Sequence, residues 1–177
     1  MINVFFVYLP DILFIANTYM EKIWKEISKI NFQTCNELVE RLKKDNFKVS
    51  PWIEDVVKKN SYKFNNNKFP IKLVRKYVRE FGFDRPVELQ MIYEKIEALG
   101  YKLIPPEIAI YTRTLYKEQP TGEWLRFATP LNSMIDSDGV PHLPKLGKAL
   151  GFYFVETYWS YPKAIFHPHN DFVMMVK

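Results

Sequence analysis

The sequence predicts an α+β fold: a helical N-terminal half followed by a C-terminal antiparallel β-meander. Two observations carry this. Apolar residues recur at steps of three and four through the first sixty positions, the period of an amphipathic helix. The last third instead carries short β-branched and aromatic runs separated by turn residues. Helices and strands do not alternate, which argues against a βαβ arrangement. No repeat and no long linker divides the 177 residues, so one domain, 1–177, is expected. Residues 1–60 are expected to be mainly helical and 61–177 mixed, with the antiparallel sheet from about 123.

The opening segment, Met1 to Ala16, holds a single charge, Asp11. A secretory leader would need Lys or Arg ahead of its apolar core. A membrane span would need about 20 apolar residues, and Pro10-Asp11 breaks this run. The segment reads as a buried strand or arm over Ile2–Leu9, with an interfacial anchor as the alternative. A helix follows from Pro10 to Ile30, with Ile12, Ile15, Tyr19, Ile23, Ile27 and Ile30 along one face. Thr34 and Glu37 have the spacing of a capping box, opening a helix with Leu38, Val39 and Leu42 on one side. Ser50-Pro51 opens the next, with Trp52, Val56 and Val57 turned inward.

Pro70 to Val78 reads as a strand. Arg85-Pro86 opens a helix with Leu89, Ile92, Tyr93, Ile96 and Leu99 as its apolar stripe, closed by Gly100. After an extended Tyr101–Ile104, a short helix is expected over Glu107–Leu115. Gln119–Gly122 is turn chemistry. Glu123–Thr129, Phe152–Trp159 and Asp171–Val176 are the strands of the meander, and Trp124 is expected to be mostly buried. Asp136–Gly139 forms a tight turn between them.

Composition excludes several classes. Hydrophobic residues at 47% argue against disorder. One cysteine, Cys35, excludes an internal disulfide and a multi-cysteine zinc site. It reads as a buried structural thiol rather than a nucleophile. Net charge is +5, and residues 20–80 hold 15 Lys/Arg against 8 Asp/Glu. Such a surplus either dresses a solvated face or gives weak, non-specific nucleic-acid binding. The acids interspersed in it dilute the field.

Three places could carry chemistry. His167, His169 and Asp171 alternate on an extended segment, so they could share a face as metal ligands. Proline-flanked loop packing is the competing reading. Glu107, Glu118 and Glu123 could furnish a carboxylate pair. Trp124, Phe127, Tyr153, Tyr158, Trp159 and Tyr161 could stack bases or grip a peptide on a sheet. Cross-strand packing is the commoner role of such rings. Asp136 and Asp138 resemble the start of a calcium loop, but the glycine comes too early and no closing glutamate follows.

Tyr116-Lys117-Glu118-Gln119-Pro120-Thr121-Gly122-Glu123-Trp124 is the most distinctive stretch. With Leu103–Glu107, Asp136–Gly139 and Tyr158-Trp159, it resembles a group of small bacterial proteins of unassigned function. The resemblance spans roughly residues 85 to 177 and departs from the group's pattern over Leu143–Leu150. It implies a shared fold and carries no activity. The sequence thus reads as a basic, cytoplasmic, non-catalytic interaction protein with an unidentified protein partner and no cofactor. The alternatives are a small metal-dependent hydrolase or nuclease, and a weakly nucleic-acid-associated protein. Candidate binding residues are Glu107, Tyr116, Gln119, Glu123, Arg126, Trp159, His167 and His169.

Overall fold

The computed structural model describes residues 22–66 and 69–176. The expected arm and the first part of the expected first helix, up to residue 21, lie outside the described residues. Among the described residues, four α-helices run over Cys35–Lys44 (α1), Pro51–Asn60 (α2), Leu89–Ala98 (α3) and Pro106–Leu115 (α4). Nine strands accompany them: β1 Lys25–Ile27, β2 Lys48–Val49, β3 Ile71–Tyr77, β4 Val87–Glu88, β5 Trp124–Phe127, β6 His142–Ala149, β7 Phe152–Trp159, β8 Ile165–Phe166 and β9 Asp171–Met175.

The expected architecture is corrected on two points. The sheet is seven-stranded and mixed, in the order β1-β3-β9-β5-β6-β7-β2. β5 pairs with β9 in parallel, and so does β2 with β7, so it is not an antiparallel meander. Nor is the first half purely helical, because β1, β2 and β3 all belong to this sheet. Lys25–Ile27, expected to be helical, pairs antiparallel with Ile71–Leu73. The helical spacing of Ile27 and Ile30 is met by burying both, at 2% and 1% exposure, along an extended chain.

Strand alternation divides the core between the two faces of the sheet. On one face, Leu73, Leu125, Phe127, Leu146, Val155 and Val173 pack with the apolar stripes of α1, α2 and α4. On the other, Val74, Leu143, Phe172 and Met174 pack with α3 and with Phe81, Val87 and Phe166.

The caps behave as their sequences require. Thr34 and Glu37 form the capping box of α1, and the Ser50 hydroxyl accepts from the Ile53 N–H of α2. α3 starts later than Arg85-Pro86. Val87–Glu88 first pair with Ile165–Phe166, and the Leu89 and Gln90 N–H groups then donate to Ala164 and Pro162 carbonyls. Trp52 was expected to face inward, yet it is 51% exposed while Val56 and Val57 are buried. No helix of the described residues is long and apolar enough to cross a membrane.

Candidate functional site

The Tyr116–Trp124 loop is held from two sides. Arg75 on β3 reaches Glu123, Asp171 and the Tyr116 hydroxyl. The Tyr116 hydroxyl donates in turn to Glu123 Oε2 at 2.6 Å. On the other side Arg113, fully buried on α4, donates to the Tyr116 carbonyl and to Gln119 Oε1. Its guanidinium lies 4.7 Å from the centroid of the Tyr153 ring. No carboxylate pairs with it among the described residues, and burial pushes its pKa down to about 10. Gln119 completes the staple by donating to the Glu123 and Leu146 carbonyls. Gly122, at φ +88°, donates to the Lys148 carbonyl. Tyr116, Gln119 and Glu123 are therefore brought together, and their polar atoms are spent on holding this loop.

The loop delivers Trp124 onto the sheet face opposite α1, α2 and α4. That face carries a regular grid. Trp124, Gly147 and Phe154 are aligned across β5, β6 and β7. Arg126, Lys145 and Glu156 form the next row, and Leu143 and Tyr158 follow on β6 and β7. Trp124 is half-buried rather than mostly buried, as are Arg126, Lys145, Phe154, Glu156 and Tyr158. The Trp124 and Phe154 ring centroids lie 5.9 Å apart. Lys145 Nζ sits 4.6 Å from the Trp124 ring centroid and 6.0 Å from that of Tyr158. Arg126 donates to the Trp124 carbonyl, and its Nε is buried with no hydrogen-bond partner among the described residues.

Arg126 and Lys145 are thus directly opposite one another, a like-charge cross-strand pair that costs stability. Among the described residues neither forms an ion pair, although Glu156 stands directly across from Lys145. Burial lowers the pKa of both, and Arg126 lowers that of Lys145 further while Glu156 opposes it. Glu156 across from Lys145 and Asp171 near Arg126 partly balance the two cations, and half-buried cations held in no ion pair fit an anion brought by a partner.

The remaining candidates lie elsewhere. Trp159 belongs to a row of rings with Trp52, His142 and Tyr161, at successive centroid distances of 6.4, 5.9 and 6.5 Å. His142 is buried: its Nε2 donates to the Asp136 carboxylate at 2.8 Å and its Nδ1 meets the Thr157 hydroxyl at 3.1 Å. The other Asp136 oxygen accepts from the Asp138 and Val140 N–H groups, closing the Asp136–Gly139 turn. His167 and His169 are exposed and stacked at 5.5 Å. The Asp171 carboxylate is taken up by Arg75, and among the described residues no three His, Cys, Asp or Glu side chains are grouped to hold a metal. Glu107 is half-buried and raises the pKa of the buried Cys35 thiol, whose shift comes mainly from burial. Clefts of about 490 and 420 Å³ flank α3 and the Gly82–Glu88 segment, and none of the candidate residues lines them.

Sequence reasoning missed Lys145, Gly147, Phe154 and Glu156. The spacing of Phe154, Glu156 and Tyr158 by two was a usable signal within a strand. Lys145 and Gly147 gave none, because β6 contains a proline and a glycine. The basic surplus of residues 20–80 is partly consumed: Lys25 pairs with Glu118, Lys43 with Glu54, and Arg75 with Glu123 and Asp171. No family model matches the chain, and no curated protein or solved structure matches it either.

Proposed function

We propose that this chain is a non-catalytic binding protein whose half-exposed sheet face over β5, β6 and β7, around Trp124, Lys145 and Phe154, takes an anionic partner. The observation that carries the reading is the cation couple Arg126–Lys145, set directly across the strands beside aromatic rings, with two cations to the single acid Glu156 in that row. Evolved proteins avoid opposed like charges unless something repays them, and a bound anion repays both the repulsion and the lost hydration. The distinctive Tyr116–Trp124 loop supports the same reading, since its hydrogen bonds fix the strand that carries Trp124 and Arg126.

The test is retention on an immobilised polyanion, eluted by salt. Two double variants with equal charge loss are compared: Arg126→Gln/Lys145→Gln on the sheet, and Lys58→Gln/Lys72→Gln among the exposed lysines of the first half. The reading predicts that only the first pair elutes clearly earlier than the parent protein. Equal shifts would return the basic character to the general surplus of residues 20–80.

A protein partner is a second reading, and a different observation favours it. Trp52, Trp159 and Tyr161 are 51%, 48% and 47% exposed and lie in one ring row over the buried His142–Asp136 pair. Large exposed aromatics on a rigid base are the composition of interface hot spots.

A further inference from the structure

We propose that the anionic partner of the β5–β7 face is a single-stranded nucleic acid. This rests on the reading of that face as an anion-binding surface and adds the class of ligand. The grid alternates in a way that matches such a strand. Trp124 and Phe154 make an aromatic row, Arg126 and Lys145 a cationic row, and Tyr158 a ring beyond it. Side chains two apart on a strand are about 7 Å apart along it. The face therefore offers base platform and phosphate contact in sequence, and then the half-buried Tyr158 ring, which is backed by Phe166 at 5.2 Å and leaves part of itself to a second base.

Each part of the grid favours this occupant over other anions. An acidic peptide would use the cations and leave the rings without flat partners. A mononucleotide would occupy one ring row and the cations, leaving the other ring idle. A duplex hides the faces of its bases inside the stack, whereas a single strand exposes them to aromatic side chains. Glu156 sits at the far end of the cationic row, so phosphate is directed toward Arg126 and Lys145. Gly147 contributes by having no side chain. The Trp124 ring covers its α-carbon, and this lets Trp124 lie low against the sheet beside Phe154.

The experiment is fluorescence anisotropy with a labelled ten-nucleotide uridine oligomer, run at two salt concentrations. Competitors are an RNA duplex of equal length, heparin and a polyglutamate peptide. Variants are Lys145→Gln and Tyr158→Leu, with folding checked by thermal melts. The parent protein is expected to bind the single strand at least about tenfold more tightly than the duplex. Lys145→Gln should weaken binding and lower the salt slope by about one. Tyr158→Leu should weaken binding by about tenfold and leave that slope unchanged.

Heparin or polyglutamate competing as well as the single strand, with Lys145→Gln still weakened, would overturn the nucleic-acid assignment and leave the anion-binding reading standing. Duplex binding equal to single-strand binding would do the same. Failure to bind any polyanion, or binding that Lys145→Gln does not change, would overturn both.

Discussion

The indole of Trp124 lies directly over the α-carbon of Gly147 on the neighbouring strand, in the space that a β-carbon would occupy. Gly147 is needed for that space and not for an unusual backbone, since it is absent from the positive-φ residues. Gly147→Ala must therefore displace the ring or open the β5–β6 pairing. Overpacking of this kind costs about 1–3 kcal/mol. Chemical denaturation checks the cost, and altered tryptophan fluorescence would show that the ring has moved. An unchanged stability would mean that Trp124 is not seated there.

Among the described residues Arg113 is the largest fully buried side chain, and no acid there forms an ion pair with it. Replacing it by Met leaves the Tyr116 carbonyl and Gln119 Oε1 without their donor. The expected loss is about 2 kcal/mol, the cost of stranding buried acceptors offset by removing an unpaired charge. Lys should not rescue it, because a single ammonium cannot span the two acceptors that the guanidinium fork reaches. Hydrogen exchange of the Gly122 amide, which donates to the Lys148 carbonyl, should accelerate in both variants.

Much of the fold was legible locally. Thr34 with Glu37, and Ser50 before Pro51, marked two helix starts because caps satisfy orphan N–H groups by short-range geometry. Phe152–Trp159 was legible as a strand, and Asp136–Gly139 as a turn. The sheet order was not legible. β9 is the last strand in the chain, yet it sits between β3 and β5, and nothing in its five residues encodes those distant partners. β6 was missed because Pro144 and Gly147 read as breakers. Pro144 in fact sits one place beyond the last registered β5 pair, Arg126 with Lys145, and Gly147 is the seat of Trp124. Of the candidate site, Arg126 was identified but its couple with Lys145 was not, since cross-strand register is a property of the assembled sheet.

Asp136 gives a pH signature. Its hydrogen bond from His142, with those from the Val140 and Asp138 N–H groups, holds its carboxyl below the ordinary range despite partial burial. A depressed carboxyl contributes stability that is present above its unfolded pKa of about 3.9 and lost as pH falls through the folded value. Asp136→Asn should thus be less stable than the parent near neutrality, with the gap closing as pH falls below the ordinary carboxylate range. Urea midpoints across that range check this, and a gap that persists at the acid end would assign the loss to packing.

Trp52 and Val56 share α2 but face different media. Trp52→Ser should change stability by no more than about 0.5 kcal/mol, as exposed substitutions do. Val56→Ala removes methyl groups from the core under the sheet and should cost about 1–3 kcal/mol. Thermal melts of the two variants check the difference, and a larger loss at Trp52 would place its ring in the core.

The central claim is that Arg126 and Lys145 oppose one another at a cost that a bound anion repays. The most direct measurement is the melting temperature of Lys145→Met in low salt, alone and with the ten-nucleotide single strand. Met keeps the stem on Trp124 and removes the charge. Relief of the Arg126 repulsion and loss of the Glu156 attraction are each worth about 0.2–1 kcal/mol, so the free variant should melt within about 3 °C of the parent. The oligomer should raise the parent's melting temperature and leave the variant's nearly unchanged. Equal stabilisation of both proteins by the oligomer would contradict the account.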